Sequence, residues 1–577
     1  MTALPRVLLG LIAAALCFMP LGALLQQGGA ALQADGLNTI FAGSQVDVLL
    51  ANSIFLALLT TLFAALLAVP AAAALGLYRF RSRALLQGLC ILPLLIPPHI
   101  HTIAWTRVLG DKGWMALWLR EQGWNINIRA PLAGMDGEGV LAHIYWGPAW
   151  VMACAFFPLM ALPAMAALQR LDRDAMDAAR ISLGWRGALR RVALPAAAPQ
   201  LLTGAVAVFA LSIVTYPVVS LLDTPVLVQK VYFVFSQVDQ GSGTLLALPL
   251  VLLSILMLVV LLRLERHLPP LVAQRIALPQ PSRAAACVAL TVLALSAGLP
   301  LFALLREAGP LALDGGTDNY QSVFARTGAA FTDSLLLVGT AVSIIGIGAL
   351  LAGRMLAQQR RPLLDALAAV AFSLPPVAVG VAFLLQFAAA DAGEGLMVAL
   401  AAGALAGALS AGSLRLALMC ALCTSAACGL LQWALQAGLA RSMLEGGAAL
   451  PVLGWLALYM PLCVRLMRQA FAATDADSVA AARVAGLSLK DRFIAAEWPA
   501  VAGTFAAVLL LAWVLCFTEL SAVLLLLRPG WQFLQIRIFN MVHYQSAGEV
   551  AALCVLTVLL TVLPLTLVWS LRRRRRA

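Results

Sequence analysis

The sequence predicts an all-α polytopic membrane protein built from two pseudo-repeated halves. The chain has 577 residues, of which 62% are hydrophobic and only 11% are charged. Soluble globular proteins are nearer half apolar and a quarter charged, and a protein core cannot absorb such an excess of apolar residues. Lipid is therefore the expected solvent for most of the chain. Long apolar runs recur at similar spacing in both halves, which predicts a duplication.

Twelve apolar runs are long enough to cross a membrane, because a spanning helix needs about 20 mostly apolar residues. In the first half these are residues 7–25, 52–77, 85–106, 139–168, 199–221 and 244–263. In the second half they are residues 284–305, 329–353, 364–390, 448–468, 501–527 and 549–571. Two further apolar segments are residues 395–411 and 415–438. The expected total is therefore 12, and up to 14, transmembrane helices.

The placement of arginine sets the expected orientation, because cytoplasmic loops are enriched in Lys and Arg. Loops 78–84 and 354–361 each carry three arginines and no acidic residue, whereas loop 26–48 carries two aspartates and no base. Both termini are therefore expected on the cytoplasmic side of the lipid bilayer. Such anchoring arginines also account for the net charge of +12, so no nucleic-acid partner is expected.

The apolar runs divide the chain into two lobes of related sequence. The predicted boundaries are a first lobe at 1–270, a cytoplasmic linker at 271–283 and a second lobe at 284–577. Late in each lobe a similar series of segments recurs. In the first lobe the segments are TYPVVSLLDTP (215–225) and VYFVFSQVDQGSG (231–243). In the second lobe they are FTELSAVLLLLRPG (517–530) and IFNMVHYQSAG (538–548). A weak internal repeat of this kind is typical of duplicated transport proteins.

One polar, helix-prone segment interrupts the apolar runs of each lobe. We call them the first bracket (residues 177–195, DAARISLGWRGALRRVALP) and the second bracket (residues 480–499, AAARVAGLSLKDRFIAAEWP). In each, an acidic or small residue followed by two alanines predicts the start of a helix, and a glycine predicts a sharp turn. A proline then predicts the entry to the next span. The expected element is a rigid helix–turn–helix within cytoplasmic loops of about 170–198 and 470–500.

The brackets resemble the motif of bacterial ABC importer permeases, in which Glu-Ala-Ala, three residues and Gly precede a helix that ends in Leu-Pro. The matching residues are Asp177, Ala178, Ala179, Gly184, Leu194 and Pro195 in the first bracket and Ala480, Ala481, Ala482, Gly486 and Pro499 in the second. The first bracket has one additional residue before its glycine. The second has Ala480 in place of the glutamate and Trp498 in place of the leucine.

This resemblance implies a fold, a location and partners. Each lobe would contain an ABC importer type I-like permease core in the bacterial inner membrane. Each bracket would dock into a cleft on one of two copies of a cytoplasmic ABC ATPase, and a periplasmic substrate-binding protein would deliver substrate, with loop 107–138 as its expected contact. The alternative interpretation is that both brackets are amphipathic loops that anchor the bundle at the lipid headgroups.

Two further stretches resemble the subgroup of these permeases in which both halves are fused in one chain. They are LPLLIPPHIHTIAWTRVLGDKGW (92–114) and FTELSAVLLL (517–526). The subgroup imports ferric iron, with thiamine and aminophosphonate relatives, so ferric iron is the expected substrate.

The sequence has no Gly-x4-Gly-Lys-Ser/Thr loop, and none of its three lysines (Lys112, Lys230 and Lys490) follows a glycine. P-loop ATP hydrolysis needs such a lysine beside backbone amides, so the chain is not expected to be an enzyme. ATP and Mg are expected on the partner ATPase, with no cofactor and no metal site on this chain. The rival functions are an ion-coupled secondary transporter, which would need buried acids and bases, and a scaffold for envelope assembly.

Four residues are candidates for the translocation path. Glu519 lies within an apolar span, where a charge is expensive unless it faces the bundle interior. His99 and His101 follow Pro97-Pro98, which predicts a broken helix. Tyr216 occupies the corresponding late position of the first lobe. For Glu519 a hydrogen-bonded brace between helices is the competing interpretation, and for the histidines it is a polar cluster near the outer end of the span.

Overall fold

A computed structural model describes residues 45–129, 145–237, 240–266, 282–309, 318–357, 375–381, 449–527 and 530–574. Within these ranges the regular secondary structure is helical, with no β-strand. Several predicted segments lie outside the described residues, namely spans 7–25, 395–411 and 415–438, most of span 364–390, linker residues 271–281 and part of loop 107–138.

The first lobe consists of long helices joined by short helical pieces. Its helices are α1 (Val46–Leu77), α2 (Arg83–Leu89), α3 (Leu92–Leu95), α4 (Pro98–Leu109), α5 (Trp114–Glu121), α6 (Trp146–Phe156), α7 (Pro158–Leu168), α8 (Arg173–Ala188), α9 (Leu194–Val214), α10 (Tyr216–Leu221), α11 (Leu227–Gln237) and α12 (Gln240–Arg266). Between α8 and α9, residues Leu189–Ala193 form a π-helical turn.

The second lobe repeats much of this order. Its helices are α13 (Arg283–Leu293), α14 (Leu299–Ala308), α15 (Asp318–Leu356), α16 (Ala449–Ala472), α17 (Ala476–Val484), α18 (Leu489–Arg492), α19 (Trp498–Thr518), α20 (Val523–Leu526), α21 (Leu534–Tyr544) and α22 (Ala547–Arg574). Two π-helical turns, Ala294–Gly298 and Phe493–Glu497, precede α14 and α19.

Each lobe has the same three-helix core. In the first lobe α1, α7 and α9 pack against one another, and in the second lobe α15, α16 and α19 do so. Small residues allow this close packing, which is how helices associate in lipid. A Cβ atom on Gly204 of α9 would lie 2.6 Å from the Cα atom of Met160 in α7. Likewise, a Cβ atom on Gly353 of α15 would lie 2.6 Å from the Cβ atom of Met467 in α16.

Helices α13 and α14 join the two lobes. Helix α13 packs against α1, and α14 packs against α4 of the first lobe and against α22 of the second. The predicted two-lobed sequence therefore folds with the start of its second half seated against its first half.

Eight described helices are long and apolar enough to cross a membrane, and two bent helix pairs raise this number to ten. The pair Arg83–Leu95 and Pro98–Glu121 bends by 96°, and the pair Trp146–Phe156 and Pro158–Leu168 bends by 43°. In both pairs the second helix starts at a proline. A proline removes an intrahelical hydrogen bond and clashes with the preceding turn, which accounts for the bends. The all-helical, multi-pass architecture is thus confirmed, and the total of 12 to 14 spans stays a prediction.

Candidate functional site

The helix of the first bracket begins earlier than the sequence predicts. Helix α8 starts at Arg173, and the carboxylate of Asp172 accepts a hydrogen bond from the backbone N–H of Asp174 at 3.1 Å. Such a cap satisfies one of the free amides of the first turn. The predicted start at Asp177 was therefore wrong. Asp177 lies inside the helix, 3.2 Å from the guanidinium of Arg180.

The second bracket has the same displacement and a stronger cap. Helix α17 starts at Ala476, not at Ala480, and Asp475 accepts hydrogen bonds from the backbone N–H groups of Asp477 and Ser478 at 3.2 and 3.3 Å. The Ser478 hydroxyl donates to the same carboxylate at 2.6 Å. These hydrogen bonds, with that of the hydroxyl the strongest, hold the pKa of Asp475 below its ordinary value.

Both bracket glycines take backbone conformations that other residues avoid. Gly184 has φ 68° and ψ 175°, and Gly486 has φ 71°. After Gly486 the chain closes a Schellman motif, because Leu487 N–H donates to the Ala482 carbonyl and Gly486 N–H donates to that of Arg483. A Cβ atom at either glycine would meet nothing within 4 Å. Backbone conformation, and not lack of space, therefore requires glycine at these turns.

The prolines at the bracket ends lie in the first turn of α9 and α19, the entry position that the sequence predicts. The helical run continues ahead of each proline without a break. A π turn lies just ahead of each one, so Leu194 N–H donates to Leu189 O, and Trp498 N–H donates to Phe493 O. A proline in a regular α-helix clashes with the carbonyl four residues back. Widening the preceding turn relieves that clash, and the bracket runs without interruption into α9 or α19.

The predicted alanine faces are only partly free. Ala178, Ala480 and Ala481 are exposed, as are Leu194, Pro195 and Pro499, whereas Ala179 and Ala482 are buried against the protein. Sequence reasoning missed the most prominent side chains of the brackets. Ile181 is 89% exposed and Val484 is 90% exposed. Each lies two residues after the second matching alanine of its bracket. An alignment of the two brackets would have revealed this repeated β-branched residue in an otherwise polar segment.

Both brackets lie on one side of the helical bundle. Ser282 N–H donates to the carbonyl of Arg79 at 3.4 Å, so α13 starts at the end of α1 that faces the first bracket. The run α13–α14 then crosses the bundle, and the Asn319 side chain donates to the carbonyl of Ala308 at 3.2 Å on the far side. Helix α15 returns from there and ends at the second bracket. Two crossings bring the chain back to the side from which it started.

An aromatic contact fixes the first bracket to the end of α1. The Trp185 ring, directly after the glycine turn, meets the Tyr78 ring edge to face at 5.5 Å between centroids. The guanidinium of Arg180 lies over the Trp185 ring at 5.2 Å. Tyr78 is the residue that ends α1, so the bracket is held directly against a core helix of its lobe.

An ion pair fixes the second bracket to the end of α15. Arg354 in the last turn of α15 donates from Nε and Nη2 to the two carboxylate oxygens of Glu497, at 2.6 and 2.9 Å. The same guanidinium lies 4.9 Å from the ring centroid of Phe493. Nε of Arg492 is 3.8 Å from the Glu497 carboxylate. We call the Arg354–Glu497 pair the ionic anchor, and the Tyr78–Trp185 pair the aromatic anchor.

Two of the candidate path residues contact the other lobe through α21. The Gln535 side-chain amide donates to the backbone carbonyl of Phe517 at 2.7 Å, so its oxygen faces His99 and accepts from His99 Nε2 at 2.8 Å. The Tyr216 ring stacks on Tyr232 at 4.3 Å, and its centroid lies 6.5 Å from that of Phe539 in α21. Gln535 is buried and was missed because its partner His99 is 436 residues distant.

The other two candidates form hydrogen bonds within their own lobe. His101 Nε2 lies 3.0 Å from the carbonyl of Pro93, inside the first lobe. Glu519 is buried at the break after α19, where its carboxylate accepts from the backbone N–H groups of Ala522 and Val523 at 2.8 and 3.2 Å. This is the geometry of a brace across the break. The roles of all four residues in a translocation path stay predictions.

Comparisons with known proteins find similarity over part of the chain. A protein of Haloferax volcanii, named as a probable molybdenum ABC transporter permease protein, is 31% identical over 198 residues, which is 34% of this chain. The chain spans 64% of the length of that relative. Residues 67–274, which contain the first bracket, match the family described as binding-protein-dependent transport system inner membrane component.

Proposed function

We propose that this chain is the membrane-spanning permease subunit of an ATP-driven ABC importer. A substrate-binding protein delivers substrate to the outer face, and two copies of a cytoplasmic ATPase grip the two brackets. Closure of the ATPases on ATP draws the brackets together and opens the lobes outward, and hydrolysis resets them. ATP and Mg belong to the ATPase, and this chain supplies the path and the brackets.

One observation carries this proposal: two equivalent brackets lie on the same side of the bundle, each with a protruding aliphatic side chain on a polar helix. Single exposed apolar residues are ordinary on protein surfaces. Ile181 and Val484, however, occupy equivalent positions in two segments that are 303 residues apart, and both are almost fully exposed. Such a pair suits a partner that presents the same apolar socket twice, which is what a pair of identical ATPase subunits offers.

Two resemblances bear on the substrate, and they point to different substrates. The stretches 92–114 and 517–526 favour ferric iron, with thiamine or an aminophosphonate as relatives. The matching Haloferax volcanii protein is named for molybdenum. Ferric iron stays our first proposal, and molybdenum is the specific alternative. Location in a bacterial inner membrane with both termini in the cytoplasm is part of the same proposal.

Replacing both protruding side chains tests the proposal directly. In the double variant Ile181→Asp with Val484→Asp, we expect the ATPase subunit to be lost from the affinity-purified full-length chain, because a carboxylate cannot enter an apolar socket without desolvation. ATP-dependent uptake should fall to the level of a deletion strain. The measurements are mass spectrometry of the purified complex and uptake of radiolabelled ferric iron and molybdate, with thiamine and an aminophosphonate as further substrates.

The matched control is Tyr544→Asp, a large exposed side chain at the end of α21. The next residue, Gln545, accepts a hydrogen bond from Arg326 near the start of α15, at the end of that helix remote from the second bracket. The Tyr544→Asp variant should leave the ATPase in the complex. Absence of any ATPase from the wild-type complex, with uptake that an uncoupler abolishes, would instead favour the ion-coupled transporter. Retention of the ATPase and of uptake in the double variant would support the interpretation that the brackets rest in the lipid headgroups.

A further inference from the structure

We propose that Arg354 and Glu497 are the positioning residues through which the second bracket moves α15, so that the ionic anchor couples ATPase closure to the second lobe. This inference rests on the proposed function. The first bracket uses the aromatic anchor instead, and the two lobes are therefore driven through different contacts.

The geometry of the ionic anchor is that of a rigid fork. The two hydrogen bonds run in parallel from one guanidinium to one carboxylate, which fixes both the distance and the orientation of the partners. The Glu497 residue is only 8% exposed, and Arg492 adds a second positive charge nearby. Separating such a pair leaves a buried charge without compensation, which costs more than an exposed pair is worth. The contact is therefore expected to persist while the bracket moves.

The π turn directs the bracket toward Arg354. Phe493 and Glu497 are the first and last residues of this turn, and both contact the same guanidinium. The turn exists because Pro499 follows it, and single π turns are frequent at functional sites. Motion of the bracket helix is thus delivered to Arg354 by two side chains of one turn.

Helix α15 distributes this motion within the second lobe. It packs against α16, α19 and α22, so a displacement at Arg354 reaches each long described helix of that core. The position two residues before the bracket proline is Glu497 in the second bracket and Ala193 in the first. Alanine cannot form an ion pair, so the first bracket cannot form the ionic anchor at this position.

The test measures ATP hydrolysed per substrate molecule transported by the full complex in proteoliposomes. Glu497→Gln removes the charge and keeps the shape. We expect the ATPase to remain bound, hydrolysis to continue, and transport per ATP to fall about tenfold, which is within the usual range of coupling between sites. Arg354→Lys, which keeps the charge but loses the fork, should give an intermediate loss. The double variant Arg354→Glu with Glu497→Arg exchanges the two charges and should recover part of the transport per ATP that Glu497→Gln loses.

A second ion pair on the same helix is the matched control. Arg326 near the start of α15 lies 3.2 Å from Glu549 of α22, and the Ser322 hydroxyl donates to the same carboxylate at 2.7 Å. Glu549→Gln should leave the ratio of transport to hydrolysis unchanged. An equal loss in both variants would show that either pair merely stabilises α15 and would overturn the inference, as would an unchanged ratio in Glu497→Gln. A wild-type chain without any bound ATPase would refute the proposed function itself, and this inference with it.

Discussion

The two brackets have the same backbone plan but differ in the chemistry that holds them. In both, the helix begins at an aspartate cap, the chain turns at a glycine with positive φ, and a π turn leads into a long helix. The first is held to α1 by an edge-to-face aromatic pair with a guanidinium over one ring, and the second is held to α15 by a bidentate ion pair. The two brackets therefore share the turn, while their contacts to the core differ.

The comparison shows that the shape of a bracket and its attachment to the core have different requirements. The turn is a backbone requirement, since no side chain of another element crowds either glycine. The attachment requires only that the bracket meet the end of the long core helix, and an aromatic pair or an ion pair can supply that. Variants that alter the turn should consequently affect both brackets alike, whereas variants that alter the anchors should affect each bracket in its own way.

The largest expected effect comes from the turn itself. Gly184→Val and Gly486→Val each force a β-branched residue into a positive-φ conformation, which costs about 1–3 kcal/mol of local strain. The bracket should relax to another shape, and uptake should fall below about a tenth of the wild-type rate in both variants. Uptake by cells that contain equal amounts of membrane-inserted protein is the measurement.

The control for the turn is Gly339→Val in α15, where a Cβ atom also meets nothing within 4 Å but the backbone is helical. Normal uptake is expected for this variant. If only one of the bracket glycines were sensitive to valine, the equivalence of the two brackets would be wrong. If neither were, the brackets would not carry the motion.

A smaller effect, confined to one bracket, is expected from the aromatic anchor. Trp185→Leu removes a ring pair worth about 0.5–1.5 kcal/mol and a cation–π contact worth about 0.5–1 kcal/mol. Hydrogen exchange of the first bracket should therefore accelerate about five- to seventyfold, and that of the second bracket should not change. Hydrogen–deuterium exchange with mass spectrometry, read from peptides of α8 and α17, makes the comparison.

Ionic strength should also distinguish the two anchors. The ionic anchor is screened by salt, and the ring contact of the aromatic anchor is not. Raising the ionic strength should therefore loosen the attachment of the second bracket to α15 more than that of the first bracket to α1. The effect should be modest, since Glu497 is largely buried. Equal loosening of both brackets would mean that the anchors do not define their separate stabilities.

The sequence alone predicts those features of the fold that depend on residues close together in the chain. Apolar runs located the described spans, and the glycines located both turns, because hydropathy and positive φ are encoded within a few residues. The bracket starts were misplaced because the Glu-Ala-Ala resemblance drew the boundary to Asp177 and Ala480. The caps Asp172 and Asp475 lie five residues earlier, and each is followed by a further acid two residues on, a signal for a helix start that was present.

Contacts between distant parts of the chain were out of reach. Arg354 and Glu497 are 143 residues apart, and each looks like an ordinary loop charge in the sequence. The interlobe bond between His99 and Gln535 likewise joins residues of separate spans. The π turns are an intermediate case. Three described turns precede Leu194-Pro195, Leu299-Pro300 and Trp498-Pro499, so an apolar residue before a proline within a helical run marks them in this protein.

The smallest expected effect lies at the caps. Asp475 accepts three hydrogen bonds and Asp172 accepts one, so Asp475→Ala should speed exchange at the start of its bracket helix several-fold, and Asp172→Ala should do so less. The pKa of Asp475 is lower in the fold than in the unfolded chain. Its contribution is therefore present at pH values above the ordinary aspartate pKa and is lost only as the pH falls through the lowered value. Exchange rates corrected for intrinsic chemistry should accordingly show a constant difference between wild type and Asp475→Ala from about pH 8 to pH 5. A difference that disappears within that range would show that the carboxylate does not cap the second bracket.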